Sequence, residues 1–278
     1  MKLRVGSWNI EGRLSNGELN KRGRPNQIFE GIKNLDVDIL VLPEAHSENS
    51  IDNLIYREQL IDMGYNLRSV AYQDDMASRK DAYANQLSIM LLSKLPIEKF
   101  EIIRLADFRN AFVATIIDSP SNKKFRVIGL HLDDRSELTR LSQVTDLLKI
   151  INQSDLPTVV LGDFNAMHGD DFWPARFLRL KLVRFLAKFI LPVISLRAIE
   201  MARGETLRLL QSDIGLCDAD TKHRPTTTPK MRRIEWMPSI RLIQIDHIFV
   251  TSDIKVKDFQ INPDEGADHR AIIATLDI

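Results

Sequence analysis

Apolar and polar residues are distributed along this chain in short runs that predict strands and helices in alternation. Apolar runs bounded by turn-forming residues are typical of buried strands. The N-terminal part contains six such runs, KLRVGSWNI, VDILVLPEA, QLSIMLLSKLPI, FVATIID, FRVIGLHL and TVVLGDFN. Between them, apolar residues at helical spacing predict three helices, in RPNQIFEGIKNL, NLIYREQLIDMG and SELTRLSQVTDLLKIINQS.

The C-terminal part adds three strand-like runs, IRLIQIDHIFVT, IKVKDFQI and HRAIIATLDI. Strands this apolar need cover on both faces, which favours two sheets that are each covered by helices. The prediction is an α/β (α+β) fold, a four-layer sandwich of two packed mixed β-sheets flanked by helices. No repeat or low-complexity linker divides the chain, so we expect one domain over 1–278 with a helical insertion at about 172–210.

Composition limits where an attractive charge can lie. The 278 residues contain 38 Lys+Arg and 38 Asp+Glu, so attraction to nucleic acid or to an anionic membrane must be local. The single cysteine, Cys217, excludes an internal disulfide and a cysteine-based metal cluster. The N-terminus does not resemble a signal peptide, and no apolar run reaches the roughly 18–20 residues of a membrane span. We therefore expect a cytoplasmic protein without a transmembrane segment.

Polar residues with catalytic potential follow or precede several of the predicted strands, and Asp246 lies inside one of them. Any one of these residues alone is more typical of a turn, a helix cap, a solvated strand end or a buried structural histidine. Because strand ends of packed sheets converge, the set predicts a shared crevice. The set is Asn9, Glu44, His131, Asp163, Asn165, Asp246, Asp268 and His269. His247 follows Asp246 within a strand, so we expect it to face the other side and to be structural.

The ordered motifs SWNIEG, LVLPEA, SIMLLSKLPI, VIGLHL, VVLGDFNA, QIDHIFVTS and ADHRAI resemble the endonuclease/exonuclease/phosphatase superfamily. That superfamily has the deoxyribonuclease-I-like fold. The resemblance runs from about residue 3 to the C-terminus, with 172–210 outside it. A lone GDFN would be only suggestive, whereas the ordered set is specific.

The resemblance implies a role for each matching residue. Glu44 binds a divalent metal, Asn9 supports the metal and its ligands, and Asp268 assists. The remaining residues are catalytic. Asp163 orients or deprotonates the attacking water, and Asp246 orients His269. Three side chains bind the substrate phosphate, namely His131, Asn165 and His269.

Elementary chemistry agrees with these roles. Hydrolysis of a phosphodiester requires neutralisation of phosphate charge, an activated water and a stabilised leaving oxyanion. Hard oxygen ligands suit Mg²⁺ or Mn²⁺. The sequence departs from the family pattern at two places. Pro43 stands where glutamine is frequent, and Asn85–Gln86 stand where glycine is usual. Both departures affect the expected substrate rather than the chemistry.

The sequence predicts a metal-dependent hydrolase of phosphoric ester bonds, with nucleic acid as the preferred substrate for an endo- or exonuclease. One alternative is a phospholipid or phosphoinositide phosphodiesterase or phosphatase at a membrane surface. An alternative of another class is a catalytically inactive binding module.

Two further segments suggest which kind of molecule or surface the protein contacts. Residues 172–203 contain seven basic residues against one acid and predict an amphipathic helix. That helix is compatible with an anionic membrane surface, with packing on its own domain or a dimer partner, or with the wall of a nucleic-acid cleft. Residues 223–246 are basic and contain Trp236, which fits either a solvated loop or a substrate-recognition loop.

Overall fold

The computed structural model describes residues 1–12, 25–46, 56–71, 87–168, 200–227, 243–262 and 266–278. The helices of these residues are α1 (Pro25–Leu35), α2 (Arg57–Asp62), α3 (Glu137–Ile151) and α4 (Glu205–Ile214). The strands are β1 (Lys2–Ser7), β2 (Ile39–His46), β3 (Asn66–Ala71), β4 (Leu87–Ser93), β5 (Ile97–Arg104), β6 (Asn110–Asp118), β7 (Lys123–His131), β8 (Thr158–Asp163), β9 (Cys217–Asp218), β10 (Asp246–Val250), β11 (Lys255–Ile261) and β12 (Ile272–Asp277).

The strands form two mixed sheets of six. The first sheet has the order β11-β12-β1-β2-β4-β3, and the second has the order β5-β6-β7-β8-β10-β9. Each sheet contains one parallel pair, β1 with β2 in the first and β7 with β8 in the second, and its other pairs are antiparallel. The two parallel pairs lie near the middle of their sheets, so their carboxyl ends point to one end of the sandwich.

Successive side chains of each strand point to opposite faces of its sheet, and this alternation creates the layers. Side chains on one face of each sheet form a shared inner core, to which Val5, Val41, Val127 and Leu161 belong. Residues of opposite parity face outward and are covered by helices. The first sheet packs Leu40, Leu42, Met90 and Leu92 against α1 and α2, and the second packs Ile128, Leu130, Val160 and Phe249 against α3 and α4. The predicted four-layer sandwich of two packed mixed sheets is confirmed.

The helices begin and end for local reasons. Pro25 opens α1, where a missing N–H has no consequence, and Ile28, Ile32 and Leu35 form its buried face. The Ser136 side chain accepts a hydrogen bond from the backbone N–H of Thr139 and so caps the N-terminus of α3.

Several predictions fall outside the described residues. These are most of the insertion (172–199), Asn85 and Gln86, and the basic part of the 223–246 segment (228–242). The last part of the range assigned to the insertion is described, and there Leu207 and Leu210 of α4 are buried under the second sheet. Within the described ranges, no helix has the length and apolar character that a membrane span requires.

Candidate active site

The predicted site residues meet at one end of the inner layer. Asn9, His131 and Asp163 lie at or just beyond the carboxyl ends of β1, β7 and β8. Asp246 begins the antiparallel β10 and is paired in register with Asp163. Glu44 lies in β2 at an irregularity between Leu42 and Ala45, with a φ of 54°. Parallel and antiparallel strands of both sheets thus bring these side chains to one place.

The Asp163 carboxylate lies at the centre of the site. Its Oδ2 atom accepts a hydrogen bond from the Asn9 amide at 3.0 Å. The same oxygen lies 3.6 Å from Nε2 of His131 and 4.0 Å from Nε2 of His269. The Asn9 amide also donates to Oε1 of Glu44 at 3.2 Å, and that oxygen lies 3.9 Å from Nε2 of His131. Asn9 therefore links the two acids, one from each sheet.

Asp246 holds the second histidine of the site. Nδ1 of His269 lies 2.8 Å from Oδ2 and 3.0 Å from Oδ1 of Asp246, which is fully buried. Hydroxyls of Thr226 and Thr227 donate to the same Oδ2 at 2.9 and 3.1 Å. The Trp8 indole N–H donates to the backbone oxygen of His269 at 3.1 Å. These contacts fix the ring so that its Nε2 faces Asp163.

His131 and His269 differ in their protonation state. Burial alone would lower the pKa of His269, but the charge and hydrogen bond of Asp246 outweigh it and raise that pKa to about 10. Burial, followed by the positive charges of Arg109 and His269, lowers the pKa of His131 well below its usual value. At neutral pH the site therefore pairs a charged imidazolium at His269 with a neutral imidazole at His131.

Burial raises the pKa of Asp163 to about 7, with a further contribution from the negative charge of Asp246. The His269 charge, the Asn9 amide and the backbone N–H of Asn165 act in the opposite direction. A carboxyl with a pKa near neutrality can accept and release a proton under physiological conditions.

Two further predicted residues flank this centre. The backbone N–H of Asn165 donates to Oδ1 of Asp163 at 2.9 Å, and its amide donates to the carbonyl oxygen of Leu132 at 3.0 Å. Asp268 is half-buried beside His269, and its negative charge contributes to the raised pKa of that histidine. Of the three predicted metal residues, the structure places Asn9 and Glu44 in contact and Asp268 next to His269.

The sequence reasoning did not single out Arg109 as a site residue. Its side chain is 1% exposed, and Nη2 lies 3.6 Å from Oδ2 of Asp133 and 4.0 Å from Oδ1 of Asp134. Its charge helps to keep His131 neutral. A polar pair, Arg109–Asn110, directly before an apolar strand was the available signal.

The donor set fits a divalent cation. Oε1 of Glu44 and Oδ2 of Asp163 both accept from the Asn9 amide, and carboxylate oxygens of Asp163 and Asp246 lie within 4.8 Å of each other. A ring nitrogen of His269 belongs to the same group, but the charged ring carries hydrogens on both nitrogens and is not a metal ligand. Buried carboxylates that converge in this way need positive charge nearby. Oxygen-rich donor sets of this kind suit hard divalent cations.

Acids, amides and histidines that converge at one end of a two-sheet sandwich provide the groups that phosphoester hydrolysis requires. The model of the Endonuclease/Exonuclease/phosphatase family matches residues 6–269. The chain belongs to this family and is a hydrolase of phosphoester bonds. Among curated proteins, no sequence matches the chain.

Solved structures share the fold at low sequence identity. An endonuclease/exonuclease/phosphatase protein from Bacteroides vulgatus is 19% identical, with a TM-score of 0.71 over 100% of this chain and 99% of that one. A 3′ phosphatase from Neisseria, bound to a product DNA hairpin, is 16% identical, with a TM-score of 0.65 over 99% and 100%. A mannosyl-6-phosphatase from Bacteroides thetaiotaomicron is 17% identical, with a TM-score of 0.63 over 99% and 100%.

Proposed function

We propose that the protein hydrolyses phosphodiester bonds of nucleic acid in a reaction that depends on a divalent metal. One observation carries the proposal: a single carboxylate oxygen, Oδ2 of Asp163, faces the Asn9 amide and the Nε2 atoms of both His131 and His269. A water molecule beside this oxygen could give its proton to Asp163. The cationic His269 ring next to it could bind a phosphate oxygen.

Each side chain has a defined task in this proposal. Asp163 accepts the proton of the attacking water, and its pKa of about 7 allows that proton to leave again. His269, held charged by Asp246, donates a hydrogen bond to a phosphoryl oxygen and stabilises the charge that develops there. An amide nitrogen carries two hydrogens, so the Asn165 side chain can donate to the phosphate as well as to Leu132.

Glu44 would hold the cation through its carboxylate oxygens, which suit Mg²⁺ or Mn²⁺, and the Asn9 amide, which donates to that carboxylate, would support it. Asp268 would assist from its place beside His269. When bound, such an ion would neutralise phosphate charge and lower the pKa of water. His131 is neutral at physiological pH, so its Nε2 can donate a hydrogen bond to the phosphate or the leaving oxygen without adding charge.

Two observations favour nucleic acid as the substrate. The Neisseria 3′ phosphatase of the same fold was solved with a DNA product. In this chain, Thr226 and Thr227 contact Asp246 and lead directly into a basic sequence that contains Lys230, Arg232 and Arg233. A basic segment that continues from the site would bind the phosphate backbone of a polymer.

The proposal is tested by assaying purified protein on DNA, RNA, phosphoinositide, sphingomyelin and a generic bis-phosphodiester, each with Mg²⁺, Mn²⁺ or EDTA. We expect metal-dependent turnover that is highest on nucleic acid. The Asp163→Asn variant should lower kcat by about 10²–10⁴-fold, the usual contribution of general acid–base catalysis. Asp62→Asn, an exposed acid on α2, serves as the matched control and should keep full activity.

Other outcomes would contradict parts of the proposal. Absence of turnover with either metal, together with no effect of Asp163→Asn, would refute the enzymatic function and favour a binding module. Higher turnover on phosphoinositide or sphingomyelin would replace nucleic acid by a lipid headgroup as substrate.

A further inference from the structure

A second group of ionisable side chains lies on the outer face of the second sheet, away from the proposed catalytic centre. Along β10, Asp246 and Ile248 face the inner layer, whereas His247 and Phe249 face outward. Asp218 of β9 is paired with Phe249 and shares this outer face. Three histidines surround the Asp218 carboxylate, namely His168, His223 and His247.

The distances in this cluster are short. Oδ2 of Asp218 lies 2.9 Å from Nε2 of His168 and 2.9 Å from Nδ1 of His247. The rings of His168 and His223 are stacked, with centroids 3.8 Å apart and planes inclined by 8°. One ligand atom from each of His168, Asp218 and His223 lies within 4.8 Å of the others. The three residues come from separate segments, so the fold itself assembles the group.

His247 orients the carboxylate of Asp218. Its Nδ1 contacts Oδ2 of Asp218, and its Nε2 contacts the carbonyl oxygen of Ala166 at 3.0 Å. A carboxylate and a carbonyl can only accept, so both ring nitrogens of His247 carry hydrogens. The other oxygen of Asp218, Oδ1, accepts from the backbone N–H of Asp220 at 2.9 Å. These hydrogen bonds hold the Asp218 carboxylate in one orientation. Side chains that bind metals are commonly oriented by hydrogen bonds of this kind.

We propose that His168, Asp218 and His223 form a second metal site, which binds one Zn²⁺. Two imidazoles and one carboxylate are a donor set that favours zinc over Mg²⁺, and a water molecule would complete a tetrahedral site. The Zn²⁺ ion replaces the proton that Nε2 of His168 shares with Asp218, since a ligating imidazole nitrogen must be deprotonated.

Zinc binding requires a movement mainly of His223. Ligand atoms around tetrahedral zinc are about 3.3 Å apart, so the ligand atoms must approach by at most about 1.5 Å from their present 4.8 Å limit. Nε2 of His168 and Oδ2 of Asp218, which are 2.9 Å apart, already lie within this spacing. A zinc ion lies close to the plane of each imidazole that binds it, so the half-buried His223 ring must also turn out of its stack with His168.

The site would connect two parts of the catalytic centre. His168 lies three residues after Asn165 in the segment that follows Asp163. His223 lies in the loop that continues to Thr226 and Thr227, whose hydroxyls hold Asp246. A bound Zn²⁺ therefore cross-links both loops and stabilises the folded state by its binding free energy.

The test uses full-length protein, stripped with EDTA and then supplied with excess Mg²⁺ to occupy the oxygen-rich site. Zn²⁺ is added, and bound zinc is measured by elemental analysis after gel filtration and by competition with a chelator. We expect one Zn²⁺ per chain. His223→Gln and His168→Gln should each weaken Zn²⁺ binding by at least about 100-fold. Loss of a residue that only supports a metal ligand costs up to about 100-fold in affinity, and loss of a ligand itself should cost at least as much. The matched control, Glu44→Gln, should keep this zinc.

Absence of tight Zn²⁺ binding, full binding by His223→Gln, or loss of the zinc in Glu44→Gln would each overturn the proposal. If the histidine variants fail to fold, NMR of the wild-type histidines decides the matter. Zn²⁺ must then shift the signals of His168 and His223 at one equivalent and leave those of His131 and His269 unchanged. The opposite pattern would place the zinc in the catalytic centre.

Discussion

Among single residues, Asp246 determines the charge of the histidine that the proposed mechanism uses. Its carboxylate is fully buried, accepts from two threonine hydroxyls and lies 2.8 Å from Nδ1 of His269. Without that negative charge, burial would be the largest influence on the imidazole and would favour its neutral form. His269 therefore depends on a neighbour that has no contact with the phosphate in the proposed reaction.

The Asp246→Asn variant should lower the pKa of His269 from about 10 in metal-free protein, because burial then acts against a smaller opposing charge. NMR titration of the histidine ring measures this shift. The wild-type interaction stabilises the folded state fully below about pH 6.5, and this stabilisation is lost as the pH rises through about 10. Asp218→Asn, a buried acid on the outer face, is the control and should leave His269 unchanged. A pKa that stays near 10 in Asp246→Asn would show that another group holds the proton.

That the side chains of the candidate site lie close together could be predicted from the sequence, but their charge states could not. Asn9, Asp163 and Asp246 occur next to apolar strands, a local pattern that one sequence displays. The neutral state of His131 depends on burial and on Arg109, which a separate part of the chain supplies. Only the three-dimensional packing reveals that the two histidines differ.

Among the secondary-structure elements, the sequence pattern missed β3, β5 and the two-residue β9. All three lie at the edge of a sheet, although the fourth edge strand, β11, was predicted. Edge strands are covered less completely, and β5 accordingly exposes Glu98, Lys99, Glu101, Ile102 and Arg104. The sequences of β3 and β5, NLRSVA and IEKFEIIR, therefore lack the continuous apolar run by which the central strands were predicted.

Helix α3 contains a buried ion pair that periodicity does not predict. Nε and Nη2 of Arg140 lie 2.9 and 2.8 Å from Oε2 of Glu137, and both side chains are 0% exposed. Arg140 also donates to the backbone oxygens of Asp133 and Glu200, and Oε1 of Glu137 accepts from the backbone N–H of Thr206 at 2.9 Å. The pair connects α3 to the start of α4.

The Arg140→Leu variant should lower the free energy of unfolding by about 3–5 kcal/mol, because it leaves the Glu137 charge buried without its partner. Urea denaturation measures the loss. Lys149→Leu is the matched control: it removes the exposed pair with Asp146 on the same helix and should cost less than about 0.5 kcal/mol. An Arg140→Leu variant as stable as the control would contradict the assigned role of the buried pair.

For the whole molecule, the number of layers followed from the sequence, whereas the order of the strands did not. Apolar runs in both halves of the chain indicated two covered sheets. The structure places β12 beside β1 and inserts β4 between β2 and β3, so strands far apart in sequence become neighbours. Such pairings depend on long-range register and packing, which periodicity within one segment does not contain.

Gly129 of β7 faces the inner layer, where a side chain would crowd residues of both sheets. A Cβ atom at this position would lie 2.2 Å from Cε1 of Phe112 on the neighbouring strand and 3.0 Å from Cγ1 of Val41 on the opposite sheet. His131 follows two residues later on the same face and belongs to the candidate active site. A displacement of β7 would therefore reach both the core and the site.

The Gly129→Ala variant should lower the free energy of unfolding by about 1–3 kcal/mol, the usual cost of overpacking a core, and should also lower kcat. Gly6→Ala is the matched control in β1 of the other sheet, where the added Cβ would meet its nearest atoms, Ile272 O and Leu40 Cδ1, at 3.2 Å. These contacts require shifts of only a few tenths of an ångström, far less than the 2.2 Å contact at Gly129, so the control should lose less stability. Denaturant unfolding of both variants under the same conditions measures the difference. Equal losses would show that contact across the sandwich at Gly129 does not limit how closely the sheets pack.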